Sequence, residues 1–550
     1  MIRRGHKIRV WMLLSACVVI YLCVLVRLLW VQVIQQDFFK GLASQQYLVG
    51  GLGANQRGDI VDRYGQPLVV NKELPSAFIL PHVSAHHEAL CDFLRKHYPV
   101  VLARVERHPE RHFFWLERRL TPERQAWLKQ QDISGIQFAQ ESVRHYPYPE
   151  LAHVLGFTDI DNHGIAGIEL AFNKNLTGEP TQYCIAKDAR AKRFYFDRTT
   201  KKEGVPSMPV QVTIDHKLQF LLYQDLAKTV DHFKAKQGAI IVLEPFSGEI
   251  LSMVSYPAFN ANDLSSIDLA LTKNVAVTEC YEVGSVMKIF SALAGLSAGV
   301  VDFNEVFDCQ GKATYIQGLR VENWKSLGVM PFYEAVKNSS NVVLARIGLR
   351  LKEQLYEHLS RVGFGRKTQL GFPGERPGYI NQPRNWSRFS PMVLTFGYEA
   401  TVTLLQVARA IGVIANGGYY VEPILVRQDS EAAGKDLSDE RKRLYDKKHI
   451  DEITAILEMV GERYPIKGFK LKGKTGTARM VVDGHYSTTQ HIYTFAGFVE
   501  KDDYRRVVIA FIREPEKAHL WASDVAAPLA QKVAERLAIH DFNKGTLNNL

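Results

Sequence analysis

The stretch that decides the fold is YEVGSVMKIFS at residues 281–291, in which Ser285 stands three positions ahead of Lys288. In its plainest reading Ser285 caps a helix, Lys288 faces solvent, and Ile289, Phe290, Leu293 and Leu296 form the buried stripe. The same spacing sets Ser285 and Lys288 side by side on one helical face, roughly 5–6 Å between Cβ atoms, so that the amine can reach the hydroxyl. A serine hydroxyl is a weak nucleophile until a base takes its proton. A lysine serves as that base only when desolvation or a neighbouring cation keeps it neutral. Ser285 follows Gly284 and opens the helix, whose N-terminal field favours an oxyanion.

Two further stretches complete the pattern. AVKNSSNVVLARIG carries Ser339, Ser340 and Asn341 directly ahead of an apolar helix, and LKGKTGTARM carries Lys474, Thr475, Gly476 and Thr477. Singly, the first reads as a helix cap and the second as a turn or strand end. S-x-x-K, S-x-N and K-T-G-T in that order spell an acyl-transfer site. Ser339 suits a proton relay between Lys288 and a leaving amine, and Asn341 suits hydrogen bonds to Lys288 and a substrate amide. Lys474 adds positive charge that lowers its neighbours' pKa values and draws a carboxylate. Gly476 lets a substrate strand pass close to the backbone, and Thr475 or Thr477 can hold the carboxylate.

The setting is a membrane. MIRRGHKIR bears Arg3, Arg4, Lys7 and Arg9 and is followed by the apolar run VWMLLSACVVIYLCVLV, then Arg27 and LLWVQVI. A helix over 10–34 is long enough to cross the hydrocarbon. The preceding positive cluster keeps the short tail, residues 1–9, cytoplasmic and sends the chain beyond the span to the other side. A cleaved signal is disfavoured by the length of the run and the lack of an A-x-A-like site. The net charge of +10, 68 Lys+Arg against 58 Asp+Glu, is spread through mixed-sign stretches. That argues against nucleic acid and suits an anionic membrane or polymer. Of the six cysteines, none is in CxxC spacing, so a zinc site is not expected. For Cys280 and Cys309 a disulfide and buried free thiols both stay open. His86, His87, His108 and His112 lack an HExxH or carboxylate pattern and read as solvated side chains.

Outward from the motifs, the segment 206–542 reads as one domain. VQVTIDHKLQFLLYQDLAKTVDHF is a short strand and a helix with Leu218, Leu222 and Leu226 on one face. GAIIVLEPFSGEILSMVSYP and YTFAGFVEKDDYRRVVIAFIRE are hairpins, and AAPLAQKVAERLAIH is a closing helix with Leu529, Val533 and Leu537 inward. Hairpins at both ends around a helical middle predict an α+β domain, an antiparallel sheet flanked by helices from both termini. Residues 35–205 mix short strands, turns and helices: a hairpin in QRGDIVDRYGQPLVVN turning at Tyr64–Gly65, then a helix starting at Thr121–Pro122.

With these motifs the chain resembles the penicillin-binding transpeptidases of class B, and within them the division-type enzymes that build septal peptidoglycan. The likeness extends to RGDIVDRYGQPL, RHYPYPELAHVLGFTDIDNHGIAGIE, TIDHKLQ, LEPFSGEILSMVSYPAFN, TFGYEATVTLLQVARA and DVAAPLAQKVAERL. It implies a cytoplasmic tail, one transmembrane helix, an elongated noncatalytic pedestal over 35–205 and a transpeptidase domain over 206–542, with the catalytic part periplasmic. It also implies the reaction. A D-Ala-D-Ala stem peptide acylates Ser285 with Lys288 as base; Ser339, Asn341 and Lys474 complete the catalytic set; Thr475, Gly476 and Thr477 bind substrate. The backbone N–H groups of Ser285 and Thr477 form the oxyanion hole, β-lactams acylate the same serine, and no metal or organic cofactor is required. A polytopic glycosyltransferase and other divisome membrane proteins are the implied partners.

Two departures stand out. Where the family has E-P-G-S-T-x-K-P, this chain has EVGSVMKI, and the usual paired glycines before V-A-A-P are Ser523–Asp524. The second change is expected to narrow the rim of the cleft. A D,D-carboxypeptidase, a side-wall transpeptidase and a mainly scaffolding divisome component are the competing readings. A serine β-lactamase is disfavoured, since ELAFN at 169–173 lies on the wrong side of Ser285 for a deacylating glutamate.

Overall fold

The computed structural model describes all residues except 1–3, 53–55, 82–86, 112, 188–193, 264, 266–267, 428–441, 517–519 and 544–550. His86 and His112 therefore lie outside the described residues. The chain forms two compact units, one of residues 1–57 with 177–207, the other of 58–176 with 208–550.

The first unit contains the one helix among the described residues long and apolar enough to cross a membrane, Lys7–Ile34. Its last turn, Trp30–Ile34, is wound as a π-helix. Strand Leu48–Leu52 pairs antiparallel with Gln182–Lys187, which pairs with Phe194–Lys202.

In the second unit one apolar cluster runs unbroken from Ile60, Leu68, Leu151 and Val154 into Val212, Ile241 and Met253, and a separate smaller one gathers Ala77, Ile79, Leu90 and Phe114. At its N-terminal end the long strand Pro67–Ile79 pairs along its length with Ile136–His145, and at its two ends with Ile60–Val61 and Phe114–Glu117. The expected hairpin turns at Tyr64–Gly65, where Gly65 takes φ +81° and Asp62 Oδ1 accepts from the N–H groups of Tyr64 and Gln66 at 2.8 and 2.9 Å. Asp62 is fully buried, and its other oxygen meets His216 Nδ1 at 2.7 Å, tying the hairpin to the larger core. Ile60–Val61 also pairs in parallel with Val210–Gln211. The RHYPYP and GIE stretches meet where Arg144 Nε donates to Glu169 Oε1 at 2.9 Å, both side chains essentially unexposed.

The larger core is built on α1 (His216–Phe233), β1 (Gln237–Leu243), β2 (Ile250–Tyr256), α2 (Met287–Ser297), β3 (Val306–Ile316), β4 (Leu319–Pro331), α3 (Asn341–Leu351), β5 (Lys470–Val482), β6 (His485–Lys501), β7 (Tyr504–Arg513) and α4 (Ala526–Asn543). The main sheet runs β2–β1–β7–β6–β5, antiparallel throughout, with β5 at one edge. Ile240, Val242, Val508 and Ala510 face one side, where α1 and α4 supply Leu218, Leu222, Leu226, Leu529, Val533 and Leu537. Ile241, Leu243, Val507 and Ile509 face the other, against α2 and the Leu404–Ala415 helix. Burial on both faces explains why these strands read as unbroken apolar runs rather than alternating ones. Cys280 and Cys309 are free thiols, Cys309 buried as one of the alternatives had it and Cys280 exposed.

Candidate active site

Ser285 lies in a 3-10 turn, Gly284–Val286, that feeds directly into α2. This turn is wedged between two backbones by glycines. A Cβ on Gly476 of β5 would stand 2.7 Å from the Val283 carbonyl oxygen and 2.8 Å from Val286 Cγ2. On the other side, a Cβ on Gly397 of the TFGYEA stretch would stand 2.4 Å from the Gly284 oxygen, and Gly397 has φ +94°. Only glycine permits both approaches. K-T-G-T is neither a turn nor a strand end, as its plainest reading had it, but the middle of β5, with Lys474 opposite Ala496 and Thr477 opposite Tyr493.

Helix α2 is enclosed on every side, with Met287 through Leu296 all buried. Lys288 therefore does not face solvent; it is 1% exposed. Its Nζ donates to the Ser339 carbonyl oxygen at 2.8 Å and approaches Ser339 Oγ at 2.9 Å. The Ser285 hydroxyl makes no hydrogen bond to the described residues, so Lys288 is joined to the second motif and not yet to Ser285. Burial, and then the charge of Lys474, hold the Lys288 amine well below its ordinary pKa. Lys474 is itself buried, and burial with the nearby Arg463 brings it down to about 8.

Ser339 reaches Lys288 from a left-handed backbone, φ +60°, between the Phe332–Lys337 helix and α3. Ser340, the N-cap of α3, accepts from Val343 N–H at 3.3 Å. Asn341 Nδ2 donates to the Glu322 carbonyl at 2.6 Å rather than to Lys288. Thr475 is half-buried, and Thr477 Oγ1 accepts from Ala522 N–H at 3.2 Å. The structure thus brings the Ser285 turn, Lys288, Ser339, Lys474, Gly476 and Thr477 together, with Asn341 adjoining.

Several supporting residues gave no sequence signal. Asn323 of β4 is buried, and its Oδ1 accepts from Ser340 Oγ at 3.2 Å and Asn341 N–H at 2.9 Å while its Nδ2 donates to the Cys309 and Gly311 carbonyls. Trp324 and Trp521, each about half exposed, stand 6.3 Å apart at the rim, the first donating to the Asn338 carbonyl. Asp524 secures the Trp521 turn by accepting from its N–H at 2.9 Å, a contact that a glycine there cannot supply.

Similarity to known proteins agrees with this geometry. Residues 238–535 match the penicillin binding protein transpeptidase domain and residues 54–211 the penicillin-binding protein dimerisation domain. The chain is 29% identical to the peptidoglycan D,D-transpeptidase FtsI of Escherichia coli, over 94% of its own length and 89% of that protein's. It is 31% identical to the probable peptidoglycan D,D-transpeptidase PbpC of Pseudomonas aeruginosa, over 86% and 84%. Among solved structures, a peptidoglycan synthetase from Bifidobacterium adolescentis superposes with a TM-score of 0.71 at 21% identity, over 90% of this chain and 96% of that one.

Proposed function

The chain belongs to the penicillin-binding transpeptidases, in their class B, division-type branch, and from that premise we propose that it cross-links peptidoglycan by serine acyl transfer at Ser285 during septal wall synthesis. The observation that carries the reading is Lys288: an amine enclosed, its pKa held well below the ordinary value by burial, and bonded to Ser339 at the foot of the Ser285 turn.

Ser285 Oγ attacks the carbonyl between the two terminal D-alanines, and its proton passes to Lys288 Nζ. The developing oxyanion is held by the N–H groups of Ser285 and Thr477. Ser339 relays the proton to the departing D-alanine amine, Asn341 holds the stem-peptide amide, and Lys474 with Thr475 and Thr477 holds the terminal carboxylate while Gly476 admits the substrate backbone. An amine from a neighbouring strand then attacks the acyl ester and frees Ser285. A β-lactam follows the first half only, its opened ring leaving no separate amine to depart.

The protein is a single-pass membrane protein, and Arg4, Lys7 and Arg9 ahead of the span support a cytoplasmic N-terminus and a periplasmic catalytic part. Of the division at 1–9, 10–34, 35–205 and 206–542, the two family matches, over 54–211 and 238–535, support the last two parts. The family likeness supports a polytopic glycosyltransferase and other divisome membrane proteins as partners of the 10–34 helix and residues 35–205.

The test is intact mass of the full chain in detergent after exposure to benzylpenicillin. A persistent adduct of one drug mass, absent in Ser285→Ala, is expected. A folded wild type that takes no adduct, or a Ser285→Ala chain that keeps it, overturns the assignment.

A further inference from the structure

Three residues ahead of Ser285, Glu282 reaches away from its own turn to two other parts of the chain. Its Oε1 accepts from the Glu399 N–H at 3.2 Å and from the Tyr486 hydroxyl at 3.1 Å. Its Oε2 is enclosed without a hydrogen-bond partner among the described residues. Both partners are themselves fixed. Glu399, in the left-handed region at φ +59°, takes Asn381 Nδ2 on its carboxylate at 2.6 Å, and the Tyr398 ring stands edge-on to Tyr486 at 5.4 Å. Beside them the Tyr281 and Val402 backbones exchange hydrogen bonds at 3.1 and 3.0 Å.

One carboxylate oxygen therefore joins three segments: the approach to Ser285, the 397–402 stretch and the β5–β6 hairpin. Tyr486 stands opposite Val481, near the hairpin's end. Gly476 and Thr477, earlier on the same strand, press on the Ser285 turn by shape alone. Glu282 adds a polar tie to the far end of the β5–β6 hairpin, through Tyr486 of β6. We propose that Glu282 is a positioning residue for acyl transfer, its Oε1 docking the β5–β6 hairpin and the Tyr398–Glu399 turn onto the approach to Ser285 and so setting the gap between Ser285 and Thr477. The inference rests on the reading of Ser285 as the nucleophile.

The role asks for an acceptor oxygen, not for a charge. The Glu282 pKa is raised: burial raises it most, the Tyr486 and Glu399 hydrogen bonds lower it, and the Glu399 carboxylate raises it again. A glutamine offers the same acceptor without like-charge repulsion, whereas alanine removes it.

The experiment is the kinetics of acylation of the full chain by a fluorescent penicillin, separating the binding constant from the acylation rate, for wild type, Glu282→Ala, Glu282→Gln, Tyr486→Phe and Glu282→Ala/Tyr486→Phe. Glu282→Ala should slow the acylation step about tenfold to a hundredfold, as misplacement of reacting groups does, with the fraction of titratable sites unchanged. Glu282→Gln should recover most of the rate, and the double variant should be no slower than Glu282→Ala. Wild-type acylation in Glu282→Ala, a loss confined to the titratable fraction, a glutamine as slow as alanine, or multiplying effects in the double variant each overturn the inference. Failure of wild type to acylate would instead strike the nucleophile assignment.

Discussion

At the scale of the residue, the site is built by enclosing two amines. The pKa of Lys474 falls from 10.5 in water to about 8 in the folded chain. Its charge therefore weakens the fold at neutral pH, on the order of a few kcal/mol for a shift of this size. The unfolded chain holds this proton up to its ordinary value and the folded chain releases it near 8, so the group's cost is full below about 8 and fades as pH rises toward 10.5. We expect Lys474→Met to melt at a higher temperature than wild type at pH 7, with the gain shrinking by pH 10 in calorimetry, while penicillin acylation slows. The motif residues are legible in the sequence because reaction chemistry restricts residue type: a serine nucleophile needs a neighbouring base, and few side chains can serve as one. Their hydrogen bonds are not. The S-x-x-K spacing suggests an amine on Ser285, and only the fold shows that Ser339, turned into a left-handed conformation, holds Lys288 in its place. Asn341 likewise sits in the expected position but gives a hydrogen bond from Nδ2 to the Glu322 carbonyl rather than to Lys288.

At the scale of the element, β5 and the β3–β4 hairpin set the walls. Gly476 lies mid-strand, where an added methyl group would meet the Val283 oxygen and the Val286 side chain. Gly476→Ala is expected to leave the sheet formed and displace the Ser285 turn, lowering acylation by roughly a hundredfold, as stopped-flow fluorescence can measure. Asn323 fixes the other wall by accepting from Ser340 and Asn341. Asn323→Ala leaves those donors unpaired in a buried site, at about 1–3 kcal/mol, and should lower both the denaturation midpoint in urea and the acylation rate. The secondary elements of the larger core can be read from period and turn residues, because α1, α4 and the hairpins bury apolar side chains at helical or sheet spacing. Asn323 cannot, since an asparagine in a strand has no pattern until the partner it caps is brought up from outside the hairpin. The K-T-G-T strand passes for a loop for a related reason: its glycine and threonines look like turn chemistry, and the selection for glycine comes from Val283 and Val286, almost two hundred positions earlier in the chain.

At the scale of the whole molecule, polar contacts join distant parts of the second unit alongside the apolar cluster they share. Asp62 closes its own hairpin and meets His216 at the head of α1, and Arg63 pairs with Glu249 at 3.0 Å. Asp62→Ala removes the buried acceptor of the Tyr64 and Gln66 N–H groups and of His216, at about 1.5–3 kcal/mol for hydrogen bonds to a charged group. It should lower the melting temperature of the segment that carries Ser285, read by the temperature at which penicillin labelling is lost. The way 58–176 joins 208–550 in one compact unit is not legible in the sequence, because Asp62 and His216 are 154 residues apart and neither stretch alone implies the other. This interleaving has a temporal side. Leu48–Leu52 has no strand partner until Gln182–Lys187 has been made, and β1 stays without β7 until residues 504–513 emerge. A chain extruded from its N-terminus must carry open apolar strands through most of its synthesis, a hallmark of slow folding and of exposure to aggregation. Helix α4, made after every strand of the main sheet, covers one face of that sheet together with α1, so a chain halted between residues 513 and 526 leaves that face only partly covered.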